Sequence, residues 1–290
     1  MNQCCLCKSK KSQIEYKLNH YQVLTCQKCG LLRRDIQLSP KKLEQLFSPL
    51  YFTKEQKDYF AGQFSTRINS KLPRNQQFIS RLNIIENLVG RKKKTILDIG
   101  CGSGTFLKLA HNRHWKTLGV DLADYPVKFA REKFGLKVIK KSIEKAKIPS
   151  HSFNAVVCWD VISNFQNPDR VFQETYRILR PGGIFAFEVA VVDSLLNWAS
   201  NFVYYTTAGR INRFTQIGLP FQHAYHFTRS SIRQLAKKHK FIPLKTENDE
   251  MDYRYSSLPK QFLPLLSTIA SIAKVIGKTT RYRMYLKKPD

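Results

Sequence analysis

Three alternate glycines, Gly100, Gly102 and Gly104, follow an apolar run containing Asp98 and precede a helix-forming segment that begins near Thr105. A residue without a Cβ lets backbone approach a ligand closely, and the helix start behind it offers free N–H groups to a polar or anionic ligand. The spacing is Gly-x-Gly-x-Gly with an acid two residues ahead of it, not the Gly-x-Gly-x-x-Gly of dinucleotide sites. A carboxylate at that place repels a pyrophosphate but pairs with a cationic amino-acid group. A second acid, Asp121, followed by Leu122, closes the next apolar segment at 116–122. An acid about 20 residues after a glycine turn commonly accepts hydrogen bonds from ribose hydroxyls. The two carboxylates therefore ask for a ligand that carries both a cation and a nucleoside.

The elements that must hold these residues follow in order. Ser142-Ile143-Glu144 comes after a third short strand, and 153–162 reads as a buried fourth strand with Asp160 and Val161 at its end. Helical spacing of Val171, Phe172, Tyr176 and Leu179 stops at Arg180-Pro181-Gly182-Gly183, because Pro and Gly cannot continue a helix. A fifth strand is expected at 183–190. This ordered set, over residues 95–190, resembles the class I S-adenosylmethionine-dependent methyltransferases. The resemblance implies an α/β, Rossmann-like seven-stranded sheet, with 281–287 as its antiparallel edge strand. It implies a cofactor site in which Asp98, Gly100, Cys101, Gly102 and Gly104 surround the methionine part. Asp121 and Leu122 would then face the ribose, and Ser142 and Ile143 the adenine. Asp160 is either a further cofactor contact or a turn cap. Cys101 reads as a small filler between glycines.

Cys4-x-x-Cys7 and Cys26-x-x-Cys29 form two cysteine pairs. Four thiolates in that pattern satisfy tetrahedral Zn2+, and the segment resembles a zinc ribbon, its metal structural. Cys5 competes with Cys4 for the first ligand position, and Cys158 is assigned to the core. With no signal peptide read at the N-terminus, disulfides are not expected. The expected domains are a ribbon at 1–40, a helical linker or cap at 41–90 and the methyltransferase domain at 91–290. The ribbon is too short for a core of its own, so metal is expected to supply its folding energy. Phe47, Tyr51, Phe52, Tyr59, Phe60 and Phe64 place aromatics in the cap, and Arg91 to Lys94 mark a solvated boundary.

The stretch 191–228 is expected to cover the acceptor side, since ligands of open α/β sheets sit outside the carboxyl ends of the strands. The run Gln222-His223-Ala224-Tyr225-His226-Phe227-Thr228 resembles a segment of methyltransferases that join a zinc module to this domain, a group including sugar C-methyltransferases and enzymes of antibiotic and polysaccharide biosynthesis. The resemblance places His223, with Tyr225 beside it, at the acceptor as base or anchor, the alternative being a cap on the next helix. An unperturbed imidazole pKa near 6.5 suits proton removal at neutral pH. Where that group often has Glu-His after strand four, this chain has Ser163-Asn164.

Lys and Arg total 49 against 21 acids, a net charge of +28, spread evenly along the chain. Such a balance favours polyanions. The leading function is methyl transfer to a small molecule or a saccharide intermediate, including a lipid-linked one. The rivals are rRNA or tRNA methylation through the basic surface, and a catalytically silent ribbon protein. The uncharged run 261–273 is shorter than the about 20 residues a bilayer span needs. It reads as core, or as an interfacial helix with Lys260, Lys274 and Lys278 meeting anionic lipid. The expected location is the cytoplasm, with the inner membrane surface as the alternative.

Overall fold

A computed structural model describes residues 3–55, 60, 63–90, 94–251 and 260–290. Tyr59 and the basic residues Arg91 to Lys93 lie outside the described residues. The chain opens with three antiparallel strands, β1 (Ser12–Lys17), β2 (Gln22–Cys26) and β3 (Leu32–Arg34), followed by the helices α1 (Pro40–Leu46) and α2 (Pro73–Val89). Strand and helix then alternate: β4 (Thr95–Ile99), α3 (Thr105–Asn112), β5 (Lys116–Asp121), α4 (Asp124–Phe134), β6 (Val138–Lys140), β7 (Phe153–Trp159), α5 (Pro168–Ile178) and β8 (Leu179–Ala190). The chain continues through α6 (Leu195–Thr206), α7 (Arg213–Gly218), β9 (Tyr225–His226), α8 (Arg229–Lys238), β10 (Ile242–Asp249), α9 (Leu263–Val275) and β11 (Arg281–Lys287).

The main sheet has seven strands in the order β10-β11-β8-β7-β4-β5-β6. The run from β8 to β6 is parallel, and β11 is antiparallel to both β8 and β10. The seven-strand expectation therefore holds, but 281–287 is not the edge. β10 covers it, which agrees with the buried interior of β11 and the mostly exposed side chains of β10. β7 is buried along its whole length, as a strand covered by helices on both faces must be. One face packs Val156, Cys158, Phe185 and Phe187 with α5 and α8; the other packs Ala155, Val157, Phe106 and Trp115 with α2 and α3.

The N-terminal ribbon is not a freestanding module. Its sheet is completed by β9, in the order β1-β2-β3-β9, and Cys4, Cys5, Cys26 and Leu31 share one apolar core with the catalytic sheet. Asp169 at the start of α5 bonds Lys8 of the ribbon at 2.9 Å and Lys238 and His239 of α8 at 2.8 and 2.7 Å. The ribbon thus draws folding energy from shared burial as well as from any metal.

Beside the parallel strands lies a charge network. Glu188 on β8 bonds Arg81 of α2 at 2.6 Å and Arg283 of β11 at 2.7 Å, all three nearly closed to solvent. Burial alone would raise the Glu188 pKa, but Arg81, Arg283 and Arg281 overcome it and hold the carboxyl at about 2. The network fastens α2 and the inserted strand β11 to the sheet.

Candidate active site

At the carboxyl ends of β4, β5 and β7 a cavity of about 1230 Å³ opens, lined by Asp98, Gly100, Cys101, Gly102, Asp121, Leu122, Ser142, Ile143 and Asp160. Pockets for one drug-sized ligand run to about 1,000 Å³, so this space admits two. The glycines shape it in different ways. Gly100 has φ +75 and an added Cβ would lie 2.6 Å from Val161, whereas Gly102, at φ +52, faces open space. Gly104 was expected at the ligand but does not line the cavity; an added Cβ there would lie 2.6 Å from Leu136 and 3.1 Å from Ala130. Its demand for glycine comes from packing behind α3. Cys101 behaves as a filler: its thiol lies over Gly119, and burial pushes its pKa well up.

Asp121 accepts from the Gly102 N–H and the Ala123 N–H, each at 2.8 Å. It thereby pins the glycine turn to the next strand, and as a carboxylate it keeps lone pairs for further donors. Asp98 is different. It is 2% exposed and its Oδ1 has no hydrogen-bond partner. Burial first, then the charge of Asp121, raises its pKa well above the usual range. Trp159, which also lines the cavity, has a buried indole N–H without a partner. Orphaned buried polar groups are rare, and among the described residues three, on Asp98, Trp159 and Asn164, line this one cavity, which describes a place shaped for an absent ligand.

Asp160 adopts φ +60 and is ion-paired with Arg281 of β11. Both line the cavity. Arg281 carried no sequence signal, because its significance depends on β11 being inserted beside β8. The cavity lining also includes the neutral amides Asn164, Gln166, Asn167, Gln216 and Gln222, together with His223 and the charged Arg213. Burial lowers the His223 pKa to about 4, the pull of Asp160 being outweighed with the help of Arg281 and Arg34. The imidazole is therefore neutral at pH 7, displaced from the expected 6.5. His226 lies 5.8 Å away, buried, with neither ring nitrogen partnered. Neither histidine caps α8, which is capped by Thr228 and Ser231.

Tyr225 is a correction. It does not line the cavity; it is 1% exposed, on the strand that pairs with the ribbon, and packs in the core with Cys4 and Cys5. Side chains alternate across a strand, so His226 and Tyr225 cannot face the same way. From the cap, Phe47, Tyr51, Phe52 and Phe60 line the cavity, and from the ribbon His20 and Tyr21. The Tyr21 hydroxyl donates to the Leu219 carbonyl and Arg34 donates to that of Phe221, so the ribbon holds the loop that carries His223. Of the aromatics in 191–228, Phe221 lines the cavity, whereas Trp198 and Phe202 do not and are 68% and 62% exposed.

In the ribbon, the sulfurs of Cys4, Cys7, Cys26 and Cys29 lie within 4.8 Å of one another. Such a cluster is compatible with a zinc ribbon. Burial would raise the Cys26 pKa, but the N–H groups of Cys29 and Lys28 lower it to about 7. Cys5 stands outside the cluster, its thiol pushed up to about 12 by burial. The competition between Cys4 and Cys5 is thus decided for Cys4.

The fold and the glycine turn define a class I methyltransferase architecture. Residues 97–187 match the methyltransferase-domain family. A ubiquinone biosynthesis O-methyltransferase of Pseudomonas paraeruginosa is 28% identical over 109 residues, 36% of this chain and 47% of that protein. One from Pseudomonas fluorescens is 27% identical over the same length. The chain spans about half the length of the curated relatives it matches. Among solved structures, geranyl diphosphate C-methyltransferase of Streptomyces coelicolor aligns with a TM-score of 0.59 at 12% identity, covering 86% of this chain and 97% of that one. Phosphoethanolamine N-methyltransferase 2 of Haemonchus contortus aligns with a TM-score of 0.57 at 19% identity, covering 89% and 62%. These likenesses show the fold, and the family match makes 97–187 a methyltransferase domain.

Proposed function

We propose that this protein is an S-adenosylmethionine-dependent methyltransferase acting on a small polyhydroxyl acceptor, a saccharide intermediate, free or lipid-linked. The observation that carries the cofactor reading is the orphaned, buried Asp98 carboxyl beside the Gly100–Gly102 turn. A cationic amino group is the partner such a carboxylate lacks, and its arrival returns Asp98 to the ionised form. When bound, S-adenosylmethionine supplies an electrophilic methyl group on a sulfonium. Asp98 would accept from its ammonium and Asp121 from ribose hydroxyls while holding Gly102; Leu122 would face the ribose, and Ser142 and Ile143 the adenine end. The names of the curated relatives and the family match support the same chemistry.

The saccharide reading rests on the amides of the cavity lining, Asn164, Gln166, Asn167, Gln216 and Gln222. Asn and Gln each offer donors and acceptors, which suits a ligand of many hydroxyls. His223, neutral at pH 7, accepts a proton from the acceptor or orients it; the chain's main task is alignment and exclusion of water. Cys4, Cys7, Cys26 and Cys29 would hold a structural Zn2+ and with it fix the ribbon edge from which Tyr21 and Arg34 hold the His223 loop.

The test is transfer of labelled methyl from S-adenosylmethionine into a sugar-nucleotide and lipid-linked saccharide fraction, with total RNA as the competing acceptor. Label in the saccharide fraction supports the reading. Label in RNA, with RNA that co-purifies through about 0.5 M salt, moves the assignment to an RNA methyltransferase. No cofactor binding leaves a silent ribbon protein.

A further inference from the structure

The sequence of helix α9 fits either a core or an interfacial helix. It is not core: of its residues only Leu266 and Ala273 are buried, while Leu265, Ile272 and Val275 are 58%, 50% and 88% exposed, and Ile276 at its end is 53% exposed. It packs against α6, and the Leu195 N–H at the start of α6 donates to the Lys278 carbonyl just past α9. Helix α6 turns Asn197, Ser200 and Tyr204 inward and leaves Trp198 and Phe202 exposed and stacked on each other. Two neighbouring helices thus each leave large apolar side chains uncovered by the described residues. Monomeric proteins rarely expose extensive apolar surface without a use for it.

The charged residues carried by these helices and just past their ends are basic, although Asp193 precedes α6 and Glu15 accepts from the Tyr205 hydroxyl of α6. Residues 194–246 and 253–289 contain no aspartate or glutamate, so neither helix carries an acid. Arg210 after α6 and Lys274 and Lys278 at the end of α9 are exposed. An apolar, Trp-bearing face set among cations complements a surface that is apolar beneath and anionic above. Among the described residues no helix is long and apolar enough to cross a membrane, so the complement is a bilayer surface, not its interior.

We propose that the α6–α9 face seats this protein on the surface of an anionic phospholipid bilayer. Asn197 of α6 and Arg213 of the following helix line the cavity, so a protein seated this way brings its acceptor side near the lipid. The inference goes beyond the methyl-transfer reading and is measured without turnover.

The experiment is flotation of the full-length protein with vesicles of phosphatidylcholine alone and of an equal mixture with phosphatidylglycerol. The expected result is binding to the mixed vesicles, weakened about tenfold or more when Phe202→Glu and Val275→Glu are combined, since a charge on each helix opposes burial in the interface. Both side chains are exposed, and an unchanged thermal melt confirms that the variant folds. A second readout uses the tryptophans. Trp115 and Trp159 are buried and Trp198 is exposed, so vesicles shift the fluorescence to the blue in the wild type and not in Trp198→Phe, which still binds. Three results overturn the proposal: no binding to the mixed vesicles; binding that salt abolishes and the double substitution leaves unchanged, which is the net charge acting alone; or a double substitution that abolishes self-association and leaves vesicle binding intact.

Discussion

Asp98 and Glu188 are both buried carboxylates on strands of one sheet, and their surroundings oppose each other. Glu188 has Arg81 and Arg283 within 2.7 Å, and its pKa is held at about 2. Asp98 has a buried oxygen with no partner, and its pKa is raised by burial and by Asp121. The first arrangement is architecture: the protein supplies every partner. The second we propose to be a site, in which the protein supplies one half of an ion pair and keeps the other place open. A buried polar group costs free energy unless it is bonded, so an unpaired carboxyl that also lines a cavity points to a partner supplied from outside.

The contrast breaks most visibly at Glu188. Glu188→Gln leaves Arg81 and Arg283 buried without a countercharge, and we expect a loss of about 3–5 kcal/mol in urea unfolding at pH 7. A loss below about 1 kcal/mol contradicts the architectural role. The next effect is on turnover. His223→Ala is expected to lower kcat by about 100-fold with cofactor affinity unchanged. In the wild type the acid limb should lie near pH 4, where this imidazole titrates, not near 6.5. A limb at 6.5 would mean that another group is read.

Asp98→Asn should have the reverse sign of Glu188→Gln. It removes the cost of holding Asp98 protonated, or of burying its charge, against an unfolded chain that ionises it freely at pH 7, so the ligand-free protein is expected to gain about 1–3 kcal/mol. The pH dependence sharpens this. The folded pKa of Glu188 is depressed, so its stabilisation is complete above about 4.5 and is lost as pH falls toward 2. The folded pKa of Asp98 is raised, so its ionisation opposes folding as pH climbs above 3.8 and through the folded value, and acid relieves it. In Asp98→Asn that second slope should vanish while the first remains. The smallest expected effect separates two glycines. Gly102→Ala meets nothing within 4 Å and should cost only the left-handed backbone, about 1–2 kcal/mol. Gly100→Ala also meets Val161 at 2.6 Å, and should cost more.

What was legible in the sequence was local. The glycine turn, Asp98, Asp121 and the cysteine pairs declare themselves because each chemical demand is met within a few residues. The acceptor half was less so. Tyr225 and His223 are two residues apart, yet one belongs to the ribbon's sheet and the other to the cavity, a division set by pairing between β3 and β9. Arg281 reaches Asp160 only because β11 enters between β8 and β10. Gly104 was read as a ligand contact, since a glycine kept for packing and one kept for a ligand look alike in sequence. The apolar run of α9 suggested core as readily as surface until its exposure was known.

Calorimetric titration of S-adenosylmethionine into the wild type and into Asp98→Asn addresses the central claim most directly. The account predicts binding to the wild type and affinity reduced about 10- to 150-fold in the variant, the worth of a hydrogen bond to a charged group, while the variant's ligand-free melting temperature rises. Equal affinity in the two proteins, or a variant that melts lower without ligand, contradicts it.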